Sequence, residues 1–295
     1  MHRSPRRNFL SRTAAAASVL ALSRPHPGIL AETPRMPGPR ARPRMALQLW
    51  TVRREIARDL NGALRKVKSI GFNAVETAFF PENATIQQAG SALKNAGLQV
   101  SSVHCELPMG RQKEVWLETA EAYSCRTMVW HGWPEDTRYR TEAGIRQSAD
   151  SYNRSGAFAK SQGMRFGLHN HWWEMTPWPD GRLPLAVLAE ALDQDIFFEI
   201  DTYWAKVAGQ DPAQVISRFT DRARLLHIKD GPGKTPDDSM VALGTGSLDF
   251  AAIAQAARQV EWMIVEFDKC GTDIFEALKK SVTYLMQHAL AKSEL

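Results

Sequence analysis

The sequence predicts a single (β/α)8 barrel, and three observations carry that prediction. From Met45 onward short apolar runs alternate with amphipathic stretches, and about 30 residues per repeat suits a closed barrel of about 250 residues better than an open doubly wound sheet. In the second half, Gly167-Leu-His-Asn-His171, Phe198-Glu-Ile-Asp201, Leu225-Leu-His-Ile-Lys-Asp230 and Ile264-Val-Glu-Phe-Asp268 each set a His or carboxylate at the end of an apolar run. Such runs read as parallel strands covered on both faces, and their carboxyl ends are where a barrel of this kind keeps its chemistry.

The first strand is Met45-Ala-Leu-Gln-Leu-Trp50, and Ile56, Leu60, Leu64 and Val67 then recur at helical spacing, which predicts one continuous helix over 55–69. Gly71-Phe-Asn-Ala-Val-Glu76 returns to strand, completing a βαβ rhythm. The rhythm continues with a helix over 84–96, a strand over 98–104, a helix over 113–123, a strand over 127–131 and a long helix over 142–162. Further strands fall at 164–169, 196–201, 223–228 and 263–266, with helical segments between and after them. No second domain is visible, and no Gly-x-Gly-x-x-Gly follows a strand, which argues against a dinucleotide fingerprint.

Residues 1–31 differ in kind from the rest, with Arg6-Arg7-Asn8-Phe9-Leu10 followed by an Ala-rich apolar stretch from Ala14 to Leu22. This order resembles a twin-arginine export signal, although Pro5 stands where such motifs usually carry Ser or Thr. The apolar stretch is too short for a bilayer, which needs about 20 residues. Export by that route delivers a folded protein, often with its cofactor inserted, so the expected location is the periplasm with no membrane attachment after signal removal. Residues 32–44 read as a Pro/Arg-rich linker, and 45–295 as the barrel domain.

The net charge of +5 and the pI near 9.2 would invite a polyanionic partner. Yet the leader's Arg3, Arg6, Arg7, Arg12 and Arg24 account for the whole excess of 37 basic over 32 acidic residues. Without leader and linker the body is slightly acidic, so electrostatic binding to nucleic acid loses its support. Cys105, Cys125 and Cys270 lack metal-type pairing and are expected as thiols, with a Cys105 to Cys270 bridge the only pairing considered. A body of this length buries a sufficient core without staples.

Glu76, His104, His131, His169, Asp201, His227 and Glu266 all fall at the expected carboxyl ends of strands. One such residue would be an ordinary wall residue; so many on separate strands are not, because buried carboxylates require charge partners or a metal. Two His and two carboxylates would suit one divalent ion, zinc, manganese, cobalt or iron, with positions open to substrate oxygens. Trp50, Trp130, Trp133, Trp172, Trp173 and Trp204 gather at the same ends in a chain with nine Trp. Indole faces stack on the apolar faces of sugars, which points to a carbohydrate-sized pocket with Glu76, His104, His131, Trp50, Trp172 and Trp204 against the substrate.

At these residues the chain resembles the xylose-isomerase-like, or sugar phosphate isomerase/epimerase, superfamily of TIM barrels, over about Met45 to Gln287. The marks are Leu47-Gln-Leu-Trp-Thr-Val52, Gly71-Phe-Asn-Ala-Val-Glu76, His169-Asn-His171 with Glu174, Asp201-Thr-Tyr-Trp204 with Ala208-Gly-Gln-Asp-Pro212, Leu226-His-Ile-Lys-Asp230, Gly244-Thr-Gly-Ser-Leu-Asp249 and Val265-Glu266. Each is weak alone, and their order is strong. The resemblance implies one divalent ion held from strands five to eight by His169, Asp201, His227 and Glu266. His171 shares a face with His169 and competes for the first place, with His169 preferred.

The chain departs from the ketose epimerases of that superfamily where strand five supplies a carboxylate, since His169 stands there. Glu266 alone keeps the carboxylate acid–base role, so His171, Glu174, Glu76 or Lys229 must supply the second proton-transfer group. The expected activity is isomerisation or epimerisation of a sugar or keto-sugar, by removal of the proton next to a carbonyl that the metal polarises. Eliminative cleavage of 3-keto-glycosides starts with the same proton and is the main alternative. A non-catalytic periplasmic sugar-binding barrel and an apurinic-endonuclease-type nuclease are the others; against the last, Trp204 stands in place of an expected His. The expected partner is a small carbohydrate, and a homo-oligomer stays open.

Overall fold

Eight parallel strands close on themselves in chain order in the computed structural model, which describes residues 42–78, 84–133 and 136–293. They are β1 (Arg44–Gln48), β2 (Ala74–Thr77), β3 (Gln99–Cys105), β4 (Thr127–Trp130), β5 (Arg165–His169), β6 (Phe197–Asp201), β7 (Ala223–Ile228) and β8 (Trp262–Val265). β8 pairs back on β1 with Leu47 opposite Val265, so the barrel has no edge. The helices are α1 (Arg53–Arg58), α2 (Leu60–Ile70), α3 (Ile86–Asn95), α4 (Gln112–Ala122), α5 (Glu142–Ser161), α6 (Pro184–Ala191), α7 (Thr202–Val207), α8 (Pro212–Arg218), α9 (Phe250–Ala256) and α10 (Ile274–Gln287). The expected (β/α)8 barrel is thus the fold observed. The leader over 1–31 and nearly all of the linker lie outside the described residues.

One expected element differs. The helix read over 55–69 is broken at Asp59, whose extended backbone (φ −153°, ψ 93°) ends α1. Its carboxylate accepts the Gly62 N–H at 2.8 Å and so caps the start of α2. The helical spacing of Ile56, Leu60 and Leu64 runs across the break because both pieces pack on the same core.

Side chains alternate along each strand, and the two faces have separate cores. Outward residues such as Leu47, Val75, Val103, Met128, Leu168, Ile200, Leu226 and Val265 pack under the helices in the main hydrophobic cluster. Inward residues Ala46, Ala74, Val129, Phe197, Leu225, Trp262 and Ile264 form a second cluster that fills the lumen. Phe197 lies opposite Gly167, where a Cβ would collide with its ring, so the glycine makes room for the phenyl group. Two residues further along the same inward faces the lumen turns from apolar to charged. The register shifts at Val75/Glu76 and at Phe198/Glu199, each where an inward carboxylate begins that polar layer.

Cys105, Cys125 and Cys270 are all free thiols. Among the described residues no helix is long and apolar enough to cross a membrane.

Candidate metal centre and active site

The lower polar layer consists of Gln48, Glu76, Ser102, His104 and Glu199, each 9 % exposed or less at the side chain where it carries charge. Glu76 Oε1 accepts from Gln48 Nε2 at 2.7 Å and lies 3.1 Å from His104 Nε2, while Oε2 accepts from Ser102 Oγ at 2.6 Å. Glu199 Oε2 is 2.6 Å from His104 Nε2 and 3.1 Å from His169 Nδ1. Burial and the charge of Glu76 push the Glu199 carboxyl up to about 7. For His104 burial works downward, but the facing Glu76 and Glu199 carboxylates raise it to about 10.

Above it stand His169, Asp201, His227, Lys229 and Glu266, all buried. Asp201 divides its carboxylate. Oδ1 accepts the N–H groups of Tyr203 and Trp204 at 2.9 Å and caps α7. Oδ2 is ion-paired with Lys229 Nζ at 2.8 Å and faces His227 Nδ1 at 3.9 Å and His169 Nε2 at 4.0 Å. Glu266 Oε2 lies 2.8 Å from His227 Nδ1 and 2.7 Å from Lys229 Nζ. Lys229 also donates to Asp268 Oδ2 at 2.6 Å. Burial opposes each of these charges, yet Lys229 and His227 hold Glu266 well below the usual carboxylate range, and the carboxylates hold Lys229 well above its own.

These donors fit a divalent ion. Asp201, His227 and Glu266 offer ligand atoms within 4.8 Å of one another, and Asp201 Oδ2, the oxygen that does not cap α7, faces the Lys229 ammonium at 2.8 Å. Each histidine also turns its other nitrogen to the layer below, His169 Nδ1 to Glu199 and His227 Nε2 to Glu76 at 2.7 Å. Carboxylates behind metal-binding imidazoles fix ring and tautomer in this way. Burial and the neighbouring cations hold His169 well below its ordinary pKa, so its outward Nε2 carries a lone pair. A second, lower set that could hold an ion joins His104, His169, Glu199 and His227; it shares the His227 imidazole with the upper set and has Glu76 hydrogen-bonded into it.

The site opens into a cavity of about 670 Å³ lined by Trp50, His104, His131, His169, His171, Trp172, Trp173, Trp204, Glu266 and Asp268 among others. His171 stacks on Trp173, with ring centroids 4.3 Å apart, and its Nδ1 is buried without a hydrogen bond. Burial, then Lys229, holds that imidazole well below its ordinary pKa, so it is neutral. Glu174 Oε2 accepts the His171 N–H at 2.9 Å, and burial pushes Glu174 up to about 8. Glu174 therefore anchors the backbone that carries His171.

Residues 64–287 match the family described as the xylose isomerase-like TIM barrel. The chain belongs to that family. The xylose isomerase-like barrel is also similar to a sugar phosphate isomerase/epimerase from Parabacteroides distasonis (24 % identity, TM-score 0.70, covering 90 % of this chain and 100 % of that one). It is similar as well to a probable 3-DHS dehydratase, AsbF, from Bacillus anthracis (14 %, 0.64, 82 % and 98 %). An L-ribulose 3-epimerase gives 17 %, 0.61, 84 % and 94 %. At these identities the likeness is one of fold. No curated protein matches the chain.

Of the residues singled out in sequence, this barrel brings His169, Asp201, His227, Glu266 and Lys229 into one cluster, and puts Trp50, His104, His131, His171, Trp172 and Trp204 on the cavity wall. Glu76, expected against the substrate, is 0 % exposed and lies below the cavity wall. Glu174 and Lys229, expected in catalysis, are also behind the wall rather than on it. For His131 burial, then His104, lowers the pKa to about 4, and its Nε2 is 3.4 Å from Glu106. Sequence reasoning passed over Glu199, Asp268, Gln48 and Ser102 as site residues. Glu199 stands two residues before Asp201 on the same face of β6, and Asp268 two residues after Glu266 just beyond β8, which is a readable signal.

Proposed function

We propose that this chain is a divalent-metal-dependent isomerase or epimerase that removes a proton next to a carbonyl of a sugar or keto-sugar. His169, Asp201, His227 and Glu266 would hold the ion, and when bound it would supply Lewis acidity toward a substrate oxygen. The observation that carries the reading is the convergence of buried ligand atoms from Asp201, His227 and Glu266 within 4.8 Å of one another, with Glu266 and the neighbouring His169 reaching the wall of an indole-lined cavity. Membership of the xylose isomerase-like family supports it, as do neighbours named as a sugar phosphate isomerase/epimerase and an L-ribulose 3-epimerase.

His171 is a second candidate base, since its neutral ring lines the cavity. Glu266 also reaches the cavity, but one of its oxygens is engaged by His227 and Lys229, which lowers its basicity. Lys229 holds Asp201, Glu266 and Asp268 together and sets the charge around the proton being moved. Eliminative cleavage of a 3-keto-glycoside begins with the same abstraction and is favoured by the size of the cavity.

The test is incubation of metal-loaded protein with ketoses and keto-glycosides in deuterated water. Deuterium should enter the carbon next to the carbonyl, and His171→Asn should slow entry at least about 100-fold, the usual worth of a positioned base. Glu266→Gln should also abolish it if the ion is held there. An isomerase returns an isomeric labelled sugar, whereas elimination releases an aglycone; no exchange with any substrate favours a binding barrel without turnover.

We also propose export to the periplasm by the twin-arginine route, on the strength of Arg6-Arg7 and the apolar stretch behind them. Changing both arginines to Lys should retain a tagged chain in the cytoplasm on fractionation, and an undiminished periplasmic yield would refute the route.

A further inference from the structure

Barrels of this class commonly seat a phosphate on the loops after the seventh and eighth strands and on a helix N-terminus, where backbone N–H groups converge. In this chain the loop after β7 and the start of α7 are already taken. Five N–H groups of the segment after β7, those of Gly231, Gly244, Gly246, Ser247 and Leu248, donate to the carboxylate of Asp230 at distances from 2.8 to 3.2 Å. A Cβ on Gly246 would collide with that carboxylate, so the loop is shaped around it. The first N–H groups of α7 are consumed by Asp201 Oδ1.

Side chains do not replace them. No Arg lines the cavity among the described residues, and its Lys269 is paired with Asp237 at 2.8 Å, while Glu266 and Asp268 add negative charge. The stretches 79–83 and 134–135, outside the described residues, contain neither Lys nor Arg. His104 and Lys269, the cations on the wall among the described residues, are already paired with carboxylates, so a phosphate would give up its hydration for little return.

The cavity is also too large for one sugar ring. A hexose displaces roughly six waters, about 180 Å³ at about 30 Å³ each, against the cavity's 670 Å³. Its indoles stand on two facing walls, Trp204 and Trp172 after β6 and β5 and Trp50 after β1. Lys229 Nζ lies 4.8 Å from the Trp204 ring, Trp204 is 5.0 Å from Trp172, and Trp50, 39 % exposed, lines the same space. Trp204, only 4 % exposed, has no partner for Nε1, a donor suited to a hydroxyl or carbonyl oxygen.

We propose that the cavity takes an uncharged, unphosphorylated glycoside of two rings, the first at the histidine–carboxylate end with an oxygen on Trp204 Nε1, the second against the indoles of Trp172 and Trp50. This rests on the reading of the cavity as a carbohydrate site, and it fixes the substrate class independently of the reaction.

Calorimetry of the full chain, metal-free and metal-loaded, tests it with 4-nitrophenyl and methyl α- and β-glucosides and galactosides, the free hexoses and glucose 6-phosphate. At least one nitrophenyl glycoside should bind about tenfold tighter than its methyl counterpart, the gain of one aromatic contact. Trp172→Ala, or Trp50→Ala should the former fail to fold, should shrink that gap to less than about threefold, read as the ratio of the two affinities within each protein. Glucose 6-phosphate should bind no tighter than glucose. Tighter binding of the phosphate, no gain from the second ring, or no binding by any glycoside would each overturn the proposal. Since binding is read without turnover, a failed deuterium exchange leaves this result standing, and a failure here leaves the metal chemistry standing.

Discussion

Lys229→Met should cost the metal-free protein about 3–5 kcal/mol, because removing one partner of a buried ion cluster leaves the others uncompensated. The ammonium lies within 2.8 Å of oxygens on Asp201, Glu266 and Asp268, and without it those carboxylates face one another uncompensated beside the cavity. In a domain of this size the loss should lower Tm by about 10 °C. Zinc or manganese added to both proteins should then restore more stability to the variant than to the parent, since the ion would supply the positive charge that Lys229 gave up. Equal stabilisation of the two by metal would show that ion and ammonium do not share those oxygens.

The second large effect is expected at Glu199, a residue that never touches the cavity. Its carboxylate stands behind His169 and His104, and its removal frees the His169 ring to turn and to change tautomer. Glu199→Gln should keep the fold, since the amide oxygen still accepts a hydrogen bond, but weaken metal binding about 10- to 100-fold. Competition against a chelating indicator measures this directly. An affinity equal to that of the parent would reduce Glu199 to a core polar residue.

The barrel was legible because its strands are short apolar runs and its helices amphipathic, a pattern set by each segment's own two environments. Asp59 shows where the pattern fails: the core is indifferent to whether one helix or two carry Ile56 and Leu64, and only the side-chain cap on Gly62 decides. In the site, the strand-end rule picked out His169, Asp201, His227 and Glu266. The same alternation that relates His169 to His171 also relates Asp201 to Glu199 and Glu266 to Asp268, so those two residues were within reach of the sequence. Depth was not. Glu76 and Asp201 both read as strand-end carboxylates, yet how high each sits depends on the stagger of neighbouring strands around the barrel, which one strand's sequence does not contain. Gln48 and Ser102 are neutral strand residues whose role follows only from the Glu76 they surround. The cradle on Asp230 needs Gly244 to Leu248 to fold back over the end of β7, a contact made by the loop's path rather than by its composition.

The central claim is that the histidines and carboxylates at the ends of β5 to β8 hold an ion. Elemental analysis of protein purified without chelator, alongside Asp201→Ala and His227→Ala, measures it most directly. About one transition-metal ion per chain is expected in the parent and close to none in either variant, with circular dichroism confirming that both remain folded. A parent free of metal after incubation with zinc, manganese, cobalt and iron in turn, or variants that keep a full ion, would contradict the account.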